Sequence, residues 1–187
     1  MESHSDPTTP DQGDERRGKA ARNLTPEIVR EALDYDHESG VMRWRADGRR
    51  WKAGDIAGTM NYEGHLAICV KGFSAKLHQV CWLHFHGHWP TGCVDHINGN
   101  KLDNRIANLR DVSNQVNCQN IFEPRKGKRS GLPLGVILQR AGRTNPNYGA
   151  QIKINQKSVH IGSFSTPEAA HEAYLAAKRR YHKGCML

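Results

Sequence analysis

Between Glu123 and Gly131 the chain reads Glu-Pro-Arg-Lys-Gly-Lys-Arg-Ser-Gly, with four basic side chains and no hydrophobic one. A stretch of that kind has nothing to bury, so it marks a boundary rather than part of a core. Its position divides the 187 residues into two small domains, each with room for only a modest interior. The composition agrees: hydrophobic residues make up 37% and the mean hydropathy is −0.73. The expected organisation is a tail over 1–22, a first domain over 23–122, a basic linker over 123–130 and a second domain over 131–187.

Composition also narrows the class. No apolar run approaches the roughly 18–20 residues of a membrane span. Met1 to Asn23 lacks the apolar stretch of a secretory signal, and its Ser, Asp, Pro, Thr and Gly content predicts disorder. A cytoplasmic protein without membrane contact is expected. The five cysteines are odd in number and form no Cys-x-x-Cys pair, which argues for reduced thiols and against a zinc knuckle. From Arg125 onward, 12 Lys/Arg face only Glu168 and Glu172, a balance of +10, whereas everything before carries −2. That asymmetry points the C-terminal third at a polyanion, because basic contacts release condensed counterions from nucleic acid.

In the first domain, Thr25 is a helix cap, Pro26 suits the first helical position, and Ile28, Val29 and Leu33 form an apolar stripe that should end near Asp34. Strands are expected at Val41–Trp44, Leu66–Val70 and Phe73–Ala75. A helix should span Leu77 to Phe85, with Val80, Cys81 and Phe85 inward and His78 a structural histidine. Cys93–Asp95 and Leu109–Val112 have strand composition, and Ser113 caps a helix carrying Val116, Asn117 and Ile121. Beyond the linker the period changes. Gly135–Gln139, Tyr148–Ile154 and Ser158–Phe164 read as three short strands, with Ala150, Ile152, Ile154, Val159 and Ile161 inward. Thr166 caps a helix with Pro167 and Glu168 in its first turn; Ala169, Ala170, Ala173, Tyr174 and Ala177 line one face. Lys178, Arg179 and Arg180 suit the negative end of its dipole.

The chemistry concentrates in Val94-Asp95-His96-Ile97-Asn98-Gly99-Asn100, followed by Asn108-Leu109-Arg110 and Asn117. A carboxylate and an amide oxygen suit a hard cation such as Mg²⁺ or Mn²⁺ that keeps several waters. Histidine, with an unperturbed pKa near 6.5, can be neutral at cellular pH and accept a proton from water. Asn98, Asn100, Asp103 and Asn104 read as turn formers. Arg105, Arg110 and Asn120 are candidate contacts to phosphate.

Val94–Asn117 resembles the HNH endonucleases in their ββα-metal form, with asparagine in place of the last histidine. The resemblance implies a strand, loop, strand and helix gripping one divalent ion. It places Asp95 and Asn117 as metal ligands, His96 as general base, and Asn108 as the brace that orients the histidine. Asp34-Tyr35-Asp36, Gly40, Arg43-Trp44, Gly54-Asp55-Ile56-Ala57-Gly58 and Gly87-His88-Trp89-Pro90 resemble the lead-in of bacteriophage HNH proteins. That lead-in usually has His-Arg where this chain has His78-Gln79, and Gly-Tyr where it has Gly64-His65.

Residues 131–184 resemble the AP2 DNA-binding domain through Gly135-Val136, Ala150-Gln151-Ile152, Ile161-Gly162-Ser163-Phe164, Glu168-Ala169-Ala170 and Ala173-Tyr174. The resemblance implies a three-stranded antiparallel sheet laid in the major groove, which admits strands and displays a distinct pattern for each base pair. By alternation, Gln151, Lys153 and His160 face away from the helix. With Arg140 and Arg143 they form the expected DNA-facing set. The family often has arginine where this chain has Ile137, and tryptophan where it has His160, so base preference does not carry over.

The combined expectation is an α+β chain: a ββα-metal HNH module, then an AP2-like three-stranded antiparallel sheet packed on one helix. The implied activity is divalent-metal-dependent cleavage of double-stranded DNA. Nicking by a monomer in a homing-like role is expected. Two alternatives remain open at this point: a non-catalytic DNA-binding regulator with a vestigial HNH fold, and an RNA-binding protein.

Overall fold

The structure, a computed structural model, describes residues 23–121, 130–140 and 147–182. The expected tail, most of the linker and Arg143 lie outside the described residues. The residues form two compact units, the first up to Val94 together with Lys101–Leu109, the second from Asp95–Asn100 and Arg110 onward.

In the first unit, Thr25 has extended backbone and its Oγ1 accepts from the Ile28 amide at 3.4 Å, starting α1 (Pro26–Ala32) with proline in its first turn. The helix ends before the expected Asp34. Leu33 is fully buried and pairs with Trp44, opening strand β1 (Leu33–Asp36) against β2 (Val41–Trp44). A cross-strand partner and a core position outweigh helix periodicity here. The turn between them is held by Asp36, whose Oδ1 accepts from the amide of Glu38 at 3.0 Å and whose Oδ2 accepts from the Ser39 hydroxyl at 2.5 Å. Gly40, at φ +77°, closes the turn in the left-handed region.

A second sheet has the order β3 (Thr59–Met60), β4 (Leu66–Val70), β5 (Phe73–Lys76), all antiparallel. Helix α2 (Leu77–His86) follows directly and ends at Gly87 in the left-handed conformation. Val29, Leu33, Met42, Ile68, Val70, Leu77, Val80, Cys81 and Leu83 share one core. Phe85, expected inward, is 45% exposed in the last turn of the helix. His78 is buried. Tyr35 donates to the Asn104 carbonyl at 2.6 Å, and the Ile106 amide donates to the His37 carbonyl at 3.1 Å. The hairpin therefore anchors the loop that leads to a short 3-10 turn at Ile106–Asn108.

β6 (Cys93–His96) and β7 (Leu109–Val112) form a two-stranded sheet. In the second unit, Ser113 caps α3 (Asn114–Gln119) by accepting from the Val116 amide. Ile121 falls beyond that helix. An antiparallel sheet runs β10 (Lys157–Phe164), β9 (Asn147–Ile154), β8 (Val136–Arg140). Helix α4 (Pro167–Tyr181), capped by Thr166, packs Ala170 and Tyr174 against Val136, Ala150 and Ile152. Lys178 lies in the last turn, as expected, together with Arg179 and Arg180. It also continues the row of Ala170 and Tyr174 at four-residue spacing, is buried, and its Nζ donates to the Ile121 carbonyl. A bulge between His160 and Gly162 shifts the register of β10. Ile161 packs on the core as expected, while Val159, expected inward, is 42% exposed on this edge strand.

Candidate nuclease and nucleic-acid-binding sites

Val94, Asp95 and His96 are all buried on β6. The turn after them is built as the sequence suggests: the Gly99 amide donates to the His96 carbonyl at 3.0 Å, and the Asn100 amide to Asn98 Oδ1 at 2.9 Å. Asp95 is the hub of a hydrogen-bonded group. Arg110, on β7, donates to Asp95 Oδ2 through Nε at 3.0 Å and Nη2 at 2.8 Å. Asn120, the residue that ends α3, donates through Nδ2 to Asp95 Oδ2 at 3.0 Å, to Oδ1 at 3.2 Å, and to the His96 carbonyl at 2.8 Å. Three acceptors around one nitrogen fix the orientation of that amide. Its Oδ1 is buried and accepts no hydrogen bond among the described residues.

The expected site residues are therefore distributed unevenly. Asp95, the His96 backbone, Arg110 and Asn120 are brought into one group; Arg110 and Asn120 meet the carboxylate there. Asn117 is half-buried on α3, one turn before Asn120, whose amide donates to its carbonyl at 3.1 Å. Asn108 lies in the first unit, buried, with Nδ2 donating to the Asp103 carbonyl at 2.8 Å. It braces the loop from Asp103 to Asn108. Arg105 holds Asp103 in a fork, Nε to Oδ1 at 2.8 Å and Nη2 to Oδ2 at 2.6 Å, and that carboxylate raises its pKa.

On the sheet of the second unit, His160 stands opposite Gln151. His160 and Lys153 are exposed and Gln151 is half-buried. Arg140 closes β8, opposite Asn147. Sequence reasoning missed a polar relay on the same sheet. Ser163 Oγ donates to Gln139 Oε1 at 2.7 Å and lies 3.3 Å from His160 Nε2. Gln139 reaches from β8 to β10 across Gly149 of the middle strand, where an added Cβ would lie 2.7 Å from Gln139 Nε2. The bulges in β8 and β10 hid this, because simple alternation fails beyond them. The glycine inside a strand was the available signal.

Residues 75–119 match the HNH endonuclease family. The match supports an HNH nuclease module over α2, β6, β7 and α3, and with it nuclease activity on a nucleic acid. No curated protein and no solved structure matches the chain. HNH nucleases are generally dependent on a divalent metal. The residues here fit such an ion: Asp95 and Asn117 offer hard oxygen donors, and the side chain of Asn120, which contacts Asp95, carries a further buried oxygen, Oδ1. Among the described residues no helix is long and apolar enough to cross a membrane.

Proposed function

We propose that the chain is a divalent-metal-dependent endonuclease that nicks double-stranded DNA as a monomer. Its second unit supplies an AP2-like sheet that positions the cut, in the manner of a bacteriophage homing-like enzyme acting in the host cytoplasm. The observation that carries this reading is the buried Asp95-His96 pair on a short strand within the matched stretch, with Asn117 on the helix that follows. His96 takes the proton of the attacking water as general base. Two donors on its own carbonyl, from Gly99 and Asn120, hold its backbone in place. Asn108 stiffens the 103–108 loop without titrating. Asp95 and Asn117 are the ligands for Mg²⁺ or Mn²⁺. When bound, that ion polarises the scissile phosphate and stabilises the leaving oxygen. Arg105, Arg110 and Asn120 are proposed near the phosphates of the cut strand. Arg140, Arg143, Gln151, Lys153 and His160 are proposed for the duplex beyond.

Supercoiled plasmid incubated with the protein and Mg²⁺ or Mn²⁺ tests this directly. Conversion to open circles, abolished by EDTA and reduced at least about 100-fold in His96→Ala, is the expected result. The second reading, a DNA-binding regulator with a vestigial nuclease fold, draws on one observation: Arg110 already neutralises the proposed metal-binding carboxylate. DNA binding without any cleavage on substrates from the native locus would favour it.

A further inference from the structure

We propose that Asp95 sits in a two-part holder with opposed effects on metal binding: Asn120 is a permanent clamp, and Arg110 is a resident counter-cation that competes with the divalent ion. The inference rests on the metal-dependent reading above and concerns a role that Arg110 and Asn120 exert through Asp95, apart from any contact with phosphate.

The division of labour follows from how the two donors share the carboxylate. A carboxylate offers about four acceptor positions over its two oxygens. Both Arg110 nitrogens fall on Oδ2, at 3.0 and 2.8 Å. Among the described residues, Oδ1 receives only the longer 3.2 Å contact from Asn120. The side chain of Asp95 is 9% exposed and that of Arg110 21%, so water screens the pair poorly and a second cation beside the guanidinium meets like-charge repulsion. A neutral amide creates no such conflict. Asn120 bridges the carboxylate to the His96 carbonyl, tying the proposed ligand to the backbone of the proposed base. Neutral groups that orient a ligand in this way favour the metal, and their loss typically weakens binding 10–100-fold. A cation that neutralises the ligand should do the reverse.

The test is Mn²⁺ titration of the full chain, by calorimetry or by loss of the free-ion EPR signal, with Asp95→Asn as the control for site-specific binding. Arg110→Met keeps an unbranched apolar stem without the charge. It is expected to bind Mn²⁺ about 10-fold more tightly than wild type. Asn120→Ala is expected to bind about 10-fold or more weakly, with an unchanged far-UV circular dichroism spectrum. A purely structural role for Arg110 predicts the opposite sign, because freeing Asp95 from its fork would loosen the ligand. Arg110→Met binding Mn²⁺ as wild type does, or more weakly, overturns the proposal; this arm decides alone if Asn120→Ala does not fold. Unchanged affinity in a folded Asn120→Ala protein also overturns it. Wild-type protein with no Asp95-dependent Mn²⁺ binding would sink the metal-dependent reading itself, and this inference with it.

Discussion

At the scale of single residues, Gly40 shows how local geometry sets up the proposed site from a distance. Its φ of +77° is costly for any residue with a Cβ. A Cβ there would also lie 2.5 Å from the Arg105 amide nitrogen and 2.7 Å from the Asn104 carbonyl carbon. Both neighbours are backbone, so neither can turn aside as a side chain would. Gly40→Ala must therefore strain the turn and push away the loop that Asn108 braces. The expected cost is about 3 kcal/mol, at the upper end of ordinary substitutions. All four tryptophans, Trp44, Trp51, Trp82 and Trp89, lie in the first unit, so urea unfolding followed by tryptophan fluorescence reads that unit. A midpoint equal to wild type would show that the loop yields without cost.

At the scale of elements, α2 carries a pH dependence. Burial lowers the pKa of His84 below its usual 6.5, with the nearby Arg30 acting in the same direction, and His86 is lowered chiefly by burial as well. A histidine held neutral in the folded state contributes stability that is present above pH 6.5 and lost as pH falls through its depressed folded value. His84→Asn should flatten that acid loss by less than about 1 kcal/mol, because the group is partly solvated. The Arg30 bonds to the His84 carbonyl, at 2.9 and 2.7 Å, involve backbone and survive the change. Fluorescence-monitored urea midpoints at pH 7.5 and pH 5 give the comparison; parallel losses in both proteins would remove His84 as a cause. The elements themselves were largely legible. Thr25 and Thr166 announced their helices through capping chemistry, and the strands of the second unit showed in their apolar runs. What escaped depended on partners distant in sequence. Leu33 left its helix for a strand because Trp44 lies opposite, and the burial of Lys178 against the Ile121 carbonyl shows only once α4 is packed. Asp95 and Arg110 are 15 residues apart. Their contact follows only once β6 and β7 are recognised as neighbours, where opposite charges attract.

At the scale of the whole molecule, charge rather than shape makes the sharpest prediction. The chain carries +8 overall, yet the excess lies wholly from Arg125 onward. Each phosphate neutralised by Lys or Arg on duplex DNA steepens the dependence of log K on log salt by about 0.9. If the four basic residues of the linker, Arg125, Lys126, Lys128 and Arg129, engage phosphates, replacing all four by alanine should make that slope shallower by about 2–4 units. Gln151→Ala removes a neutral group from the proposed reading face, so it should alter preference among sequences and leave the slope where it was. The two variants thus separate attraction to a polyanion from recognition of a sequence. Binding measured over a series of KCl concentrations, on duplex DNA and duplex RNA at matched salt, supplies both readouts. An unchanged slope in the quadruple variant would take the linker off the DNA and leave the attraction to the basic residues that follow it. Equal affinity for the two duplexes would leave the charge asymmetry intact and make the sheet's preference for DNA untenable, because counterion release alone does not distinguish one polyanion from another.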